Sequence, residues 1–299
     1  MESTDSKKTK PVRYSYGINP QLFVNKSMTK IPIHLVSDST GETVVLVGRA
    51  CLVQFGHVEP EEHLWSLVRS EEKVQEILTT LEDKGGVVIY TLVDPEIRQV
   101  LEEGCAALQI PCIPVLDPIV AALGQFLGAE GHARPGSQHV MNAEYFSRIE
   151  AMQFALTHDD GQSTWDLNEA DVVLLGVSRT SKTPTCIYLA NRGIKTANVP
   201  IVPGCPIPKE VFEIDKPLVV GLTKDPKRLV EIRRQRLRLL DQDENTDYVN
   251  LEMVSQEINE ARRLFSKHDW PVINVSRKSI EETAATIYQL YQDRIDTHV

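Results

Sequence analysis

Short runs of consecutive apolar residues alternate along this chain with stretches whose apolar positions recur at helical spacing. The strongest run is Val172-Val-Leu-Leu175, four apolar residues in succession, which is the pattern of a strand buried on both faces. Similar runs at Ile31–Val36, Val87–Leu92, Ile110–Val115, Ala197–Val202, Pro217–Leu222 and Pro271–Val275 predict further strands, and His63–Arg69 predicts another. Helix starts stand between them. Asp94-Pro95, Asp117-Pro118 and Asp225-Pro226 each combine an Asp N-cap with proline at the first helical position. Ser70 with Glu71 and Glu72 opens a helix that Gly85-Gly86 stops after Lys84, and Ser279-x-x-Glu282 is a capping box. Tyr145, Ile149, Met152 and Leu156 form an apolar stripe on a helix that Asn142 can cap, and one more helix is expected over Tyr248–Lys267. The alternation predicts an α/β fold of two domains with mostly parallel sheets.

A length of 299 residues suits two cores. The first domain is expected over 31–128, after a polar, lysine-rich arm at 1–30. A Gly-, Pro- and His-containing linker at 129–140 leads to a second domain at 141–299. A formal net charge of −10 argues against general nucleic-acid binding, which needs a basic surface to displace counterions. No apolar run is long enough to span a membrane. Five cysteines without a C-x-x-C pair or a signal peptide read as free thiols in a cytoplasmic protein. The eight histidines lack ligand spacing, so a structural metal is not expected.

The chemistry concentrates behind the strongest strand. Gly176, four residues, then Ser181-Lys182-Thr183 follows G-x-x-x-x-G-K-[ST] except at Ser181. Successive amides at a helix start make a concave anion site, which the helix dipole strengthens. Gly176, Val177, Ser178, Arg179, Thr180, Ser181, Lys182 and Thr183 are therefore the candidate phosphate cradle, and the second domain is expected to be P-loop kinase-like. Lys182 would carry charge to the terminal phosphates, and the Thr183 hydroxyl would ligate Mg²⁺. Serine in place of the usual glycine fits if its φ is negative. The competing reading is an ordinary βα turn that ends in one lysine.

Weaker candidates surround it. Asp159 and Asp160 precede Gly161, as in a polar turn or an acid–base site. Arg234 and Arg238 lie one helical turn apart, on a solvated face or as a phosphate clamp. The loop Ser37-Asp-Ser-Thr-Gly-Glu42 has residues that cap a helix and also bind anions, with Asp38 and Thr40 at its mouth.

Taken together, Ser37-Asp-Ser-Thr-Gly-Glu-Thr43, Tyr90-Thr-Leu-Val-Asp94, Tyr145-Phe-Ser-Arg-Ile-Glu-Ala151, His158-Asp-Asp-Gly161, Gly176 through Thr185, Gly221-Leu-Thr-Lys-Asp-Pro226 and Ser279-Ile-Glu-Glu-Thr283 are distinctive. The chain resembles the pyruvate, phosphate dikinase regulatory protein family from about Ile31 to its end. The related branch acting on phosphoenolpyruvate synthase tends to carry Cys-Gly-Lys-Thr in the loop, so Thr180-Ser181 tilts the resemblance toward the dikinase branch. The resemblance implies a bifunctional enzyme. It would use ADP to phosphorylate a threonine of pyruvate, phosphate dikinase, and inorganic phosphate to remove that group as pyrophosphate. Lys182 with Asp159 or Asp160 would then be catalytic, with Mg²⁺ held at Thr183. A homodimer stays open. So do three other readings: the same chemistry on phosphoenolpyruvate synthase, a small-molecule P-loop kinase, and a nucleotide sensor without chemistry.

Overall fold

A computed structural model describes residues 30–56, 59–129, 136, 143–244 and 246–298. They divide into two compact units on either side of residue 140. Of the arm expected at 1–30 only Lys30 is described, and it begins a strand; the rest of the arm, most of the linker and the Asn142 cap lie outside the described residues. Among the described residues no helix is long and apolar enough to cross a membrane.

The first unit runs β1 (Lys30–Ser37), α1 (Glu42–Leu52), β2 (Glu59–Trp65), α2 (Glu71–Lys84), β3 (Val87–Thr91), α3 (Pro95–Ala107), β4 (Cys112–Pro114) and α4 (Asp117–Leu127). Its four parallel strands are ordered β2-β1-β3-β4. The second unit runs α5 (Ala143–Thr157), β5 (Val172–Val177), α6 (Lys182–Ala190), β6 (Thr196–Ile201), β7 (Leu218–Thr223), α7 (Pro226–Leu239), α8 (Leu251–Lys267), β8 (Val272–Asn274) and α9 (Ile280–His298). Its order, β6-β5-β7-β8, repeats that of the first unit, again all parallel. In each sheet the chain reverses its direction of travel beside the central strand. In open α/β sheets ligands bind at such a reversal, outside the carboxyl ends of the strands. In the second unit that crevice lies between the ends of β5 and β7.

The continuous apolar runs have the expected cause, since β5 and β7 are buried at every position. Along β5, Val173, Leu175 and Val177 pack in one core with Leu229 and Leu237 of α7 and with Val254, Ile258 and Phe265 of α8. Val172 and Leu174 face the opposite core, with Cys186 and Leu189 of α6 and Ala284 and Ile287 of α9. Period-two alternation between two apolar layers leaves no polar face, and the sheet is covered on both sides.

Several expected boundaries move. The strand expected at His63–Arg69 is β2, Glu59–Trp65, because Lys30–Val36 of β1 pairs with it residue by residue. An acidic edge strand carries no hydrophobic signal, so ladder pairing decides its place. The helix that the loop Ser37–Glu42 opens, α1, ends at Leu52. Asp117 does not cap α4: Leu116 holds that position, and the Asp117 carboxylate accepts from Arg98 Nη1 at 2.9 Å. On α5 the residues packed inside are Ala151 and Ala155, while Leu156 is 69 % exposed. The bulky stripe misleads there because α5 approaches its neighbours through small residues. Asp94 and Asp225 do cap their helices, and Ser279 and Glu282 exchange both capping-box hydrogen bonds.

Gly221 on β7 shows how closely the second core is packed. A Cβ there would come within 2.5 Å of the Phe265 ring, which is fully buried. Gly221→Ala is expected to destabilise the protein by about 1–3 kcal/mol through overpacking. Urea unfolding monitored on the second unit measures this, and wild-type stability would contradict the packing described.

Candidate functional site

Strand β5 ends at Val177 and the chain turns through Ser178–Ser181 into α6. Gly176 is required by contact: a Cβ would lie 2.6 Å from the Leu222 carbonyl oxygen and 2.8 Å from Thr180 Oγ1. The turn is tied down from within. Thr180 Oγ1, fully buried, donates to the Val177 carbonyl at 2.9 Å, and Lys182 Nζ donates to the same oxygen at 3.1 Å. Arg179 and Ser181 both take the left-handed conformation, with φ of 70° and 65°. The negative φ under which serine fits the motif is not what Ser181 adopts. Serine occupies the conformation glycine normally supplies, at about 1–2 kcal/mol of backbone strain. No side chain at the N-cap position accepts from the first amides of α6, and uncapped amides at a helix start are donors of the kind that anions take up.

A cleft of about 540 Å³ opens over this turn, lined by Ser178, Arg179, Ser181, Lys182 and Thr183 together with Asp160 and Lys224. Gly176, Val177 and Thr180 shape the turn from behind and do not line the cleft. Lys224, at the end of β7, was not singled out from the sequence. Its position directly after a buried strand, across the sheet reversal from β5, is the signal that finds it. Both lysines are buried, Lys182 to 6 % exposure and Lys224 to 7 %. Burial pushes Lys182 down to about 8, against the opposing pull of Asp160. Lys224 is lowered as well, by burial first and then by Arg228. Two buried lysines beside uncapped helix amides are the kind of groups that suit an anion.

The two aspartates differ. Asp159 accepts from Thr183 Oγ1 at 2.9 Å and from Asn198 Nδ2, so its carboxylate is engaged in orienting the threonine. Asp160 lines the cleft and is exposed, with one longer contact from Asn198 at 3.3 Å. Their turn, Asp159–Gly161, is held in place: the Asn198 amide donates to the His158 carbonyl at 2.9 Å, and His158 Nε2 meets Asp166 Oδ1 at 2.6 Å. Asp160 has a left-handed φ of 48°, a further strained residue at the cleft. Asn198, 1 % exposed on β6, is another residue the sequence did not reveal, because an amide inside an apolar strand gives no motif.

Arg234 and Arg238 do not reach the cleft. Both are exposed, and Arg238 makes a bidentate pair with Glu244. The arginine that matters to the loop is Arg233. It is 1 % exposed, pairs with Glu257 at 2.8 and 2.9 Å, and donates to the Ser178 carbonyl at 3.2 Å. In the first unit, Asp38 is also buried, and its carboxylate accepts from the Val93 amide at 2.7 Å. That bond ties the loop after β1 to the loop after β3, while Thr40 is exposed. Among the described residues no three His, Cys, Asp or Glu side chains cluster for a metal. Mg²⁺ typically takes one or two carboxylates, waters and substrate phosphate oxygens, and Thr183 Oγ1 with Asp159 is a donor set of that kind.

The lowered Lys182 gives a test in pH. From about pH 8 to 10.5 the unfolded chain holds a proton on this lysine that the folded chain has released. Stability should therefore rise with pH in that window. Pyrophosphate affinity should fall there, by up to about tenfold per pH unit, since the anion needs the ammonium. Lys182→Arg should lessen that fall, because guanidinium does not titrate, and leave only the share of the likewise lowered Lys224. A wild-type affinity that stays flat from pH 7.5 to 10 by titration calorimetry would remove Lys182 from the anion site.

Comparison with known proteins follows this geometry. A family model described as kinase/pyrophosphorylase matches residues 33–288, which takes in both units. A relative from Paramagnetospirillum magneticum, named as a pyruvate, phosphate dikinase regulatory protein, is 55 % identical over 91 % of this chain and 88 % of its own length. One of the same name from Caulobacter vibrioides is 52 % identical, over 88 % of this chain and 83 % of its own. Matches of this extent cover the turn over Lys182, the Asp159–Gly161 turn and both sheets, and the chain belongs to the kinase/pyrophosphorylase family.

Proposed function

We propose that this protein phosphorylates a threonine of pyruvate, phosphate dikinase with ADP, and removes the same phosphoryl group with inorganic phosphate, releasing pyrophosphate. The observation that carries the reading is the cleft itself: Lys182 and Lys224, both buried, lie with uncapped α6 amides on one side and Asp160 on its wall. Phosphoryl transfer asks a protein mainly for position and charge neutralisation, with one group to handle the hydroxyl proton. The parts of this cleft divide along those lines. The names of the relatives support the target, and free thiols at Cys51, Cys105, Cys112, Cys186 and Cys205 suit a cytoplasmic enzyme.

In the forward direction the turn amides and Lys182 hold the phosphates of ADP. Lys224 neutralises charge that builds on the transferring group. Asp160 takes the proton of the threonine hydroxyl as its oxygen bonds to the β-phosphorus, and AMP leaves with the bridging oxygen. In reverse, an oxygen of inorganic phosphate bonds to the phosphothreonine phosphorus. Asp160 returns the proton to the threonine oxygen, and pyrophosphate departs. One carboxyl therefore serves as base and as acid. Asp159 keeps Thr183 oriented. Mg²⁺ held at Thr183 and Asp159 would add positive charge on phosphate oxygens.

The test uses ADP labelled in its β-phosphate, with purified pyruvate, phosphate dikinase. Label is expected on a threonine of the dikinase, and none on pooled metabolites or on phosphoenolpyruvate synthase. Lys182→Ala should lose both directions together. Asp160→Asn should lower both rates by about 10²–10⁴-fold with ADP affinity little changed, as removal of a general base does. ADP binding without labelled product would make the protein a sensor. Loss of one direction alone would require two sites.

A further inference from the structure

A second cavity, of about 360 Å³, adjoins the cleft and shares Ser178 and Val202 with it. Its chemistry is the opposite of its neighbour's. The cleft has Arg179, Lys182 and Lys224 against the single carboxylate of Asp160. The second cavity has Asp247, Glu257 and Glu260 against Arg233 alone, and Arg233 is already paired with Glu257. An anionic group is repelled there. Its apolar lining is Ile201 at the end of β6, Val202 and Pro203 after it, and Met253 and Tyr248. On α8, Met253, Gln256, Glu257 and Glu260 recur at three-, four- and seven-residue spacing, so one helical face supplies the floor.

We propose that this cavity holds the uncharged nucleoside of the nucleotide whose phosphates lie over Lys182. The proposal rests on the phosphoryl-transfer reading for the phosphate half and names the site of the other half. A ligand with one strongly anionic end and one neutral, flat, donor-bearing end matches the two cavities in sequence. Apolar walls with a few polar groups suit a base, and a volume above about 300 Å³ is the usual range for small-molecule pockets. The carboxylate of Asp247, and the oxygen of Glu260 that does not accept from Gln256 Nε2 at 2.9 Å, can take hydrogen bonds from ribose hydroxyls or an exocyclic amine. Arg233 lines the cavity, and its buried Nε has no acceptor among the described residues. A ring nitrogen of a base is such an acceptor.

The two halves are also held in register. Tyr248 Oη lies 3.1 Å from Ser178 Oγ, the Arg233 guanidinium sits 4.4 Å from the centre of the Tyr248 ring, and Arg233 Nη1 donates to the Tyr248 carbonyl at 3.2 Å. The same guanidinium holds the Ser178 carbonyl of the phosphate turn. The aromatic wall and the phosphate turn are therefore fixed to one side chain.

Binding of ADP and of pyrophosphate, which has no nucleoside, separates the two halves. Met253 is 44 % exposed, so Met253→Trp fills the cavity without disturbing the core. The variant should weaken ADP by at least about tenfold in calorimetry and leave pyrophosphate within about twofold. In the wild-type protein, adenosine should compete with ADP and not with inorganic phosphate. That measurement decides the matter if Met253→Trp loses both ligands through misfolding. Unchanged ADP affinity in the variant, or adenosine that fails to compete, overturns the nucleoside site and leaves the phosphate site standing. Unchanged ADP affinity with a raised KM for the dikinase would overturn it too, in favour of a docking pocket for the target. A wild-type protein that binds neither ADP nor pyrophosphate would overturn the phosphate reading and this proposal together.

Discussion

The second unit depends on one buried charge. Arg233 of α7 is almost entirely removed from water, and a guanidinium in that position is tolerable only if it is paired and hydrogen-bonded. Glu257 of α8 matches it with two nearly parallel bonds, at 2.8 and 2.9 Å. Nη1 and Nη2 also donate to the Tyr248 and Ser178 carbonyls, Nε has no acceptor among the described residues, and the cation lies against the Tyr248 ring. Two helices, the turn before α8 and the turn after β5 thus meet on one side chain. Such a pair adds little net stability compared with apolar residues of the same size. Its contribution here is geometric, because it fixes where the Ser178 carbonyl, and with it the amide cradle, can stand.

That arrangement explains how the strained turn persists. Arg179, Ser181 and Asp160 all occupy left-handed backbone conformations that residues with a Cβ disfavour. Each lines the cleft. Strain of this sort survives where surrounding bonds over-determine the conformation, and it concentrates at functional sites. Here the bonds are those from Thr180 and Lys182 to the Val177 carbonyl, from Arg233 to Ser178, and from Asn198 to the aspartate turn. The Lys182 ammonium bonds to a carbonyl of its own turn.

Much of this was legible in the sequence because the relevant signals are local. Val172–Leu175 reads as a doubly buried strand and Pro217–Leu222 as a buried one, and β5 and β7 are buried at every position. The spacing from Gly176 to Lys182 placed the turn at the start of a helix, where it stands. What was not legible depends on partners distant in sequence. Asn198 and Lys224 matter because β6 and β7 flank β5, which no local pattern states. Arg234 and Arg238 drew attention by their number of charges, yet they are solvated. Arg233 was readable in principle: Leu229, Arg233 and Leu237 recur every fourth residue, and that face of α7 is the buried one. A charge on an apolar stripe is the informative exception, and a count of arginines hides it. On α5 the rule failed the other way, since small alanines rather than large apolar residues mark the packed face.

The role given to Arg233 is tested most directly by replacing the pair together. Arg233→Met alone should cost about 3–5 kcal/mol, because it leaves the Glu257 carboxylate buried and uncompensated. The double replacement Arg233→Met with Glu257→Leu restores an apolar match and should unfold near the wild-type temperature. Pyrophosphate affinity of that double variant is the decisive quantity. If Arg233 holds the phosphate turn in its binding conformation, the double variant will be stable and will bind pyrophosphate at least about tenfold more weakly. A stable double variant that binds pyrophosphate as the wild-type protein does would contradict the account.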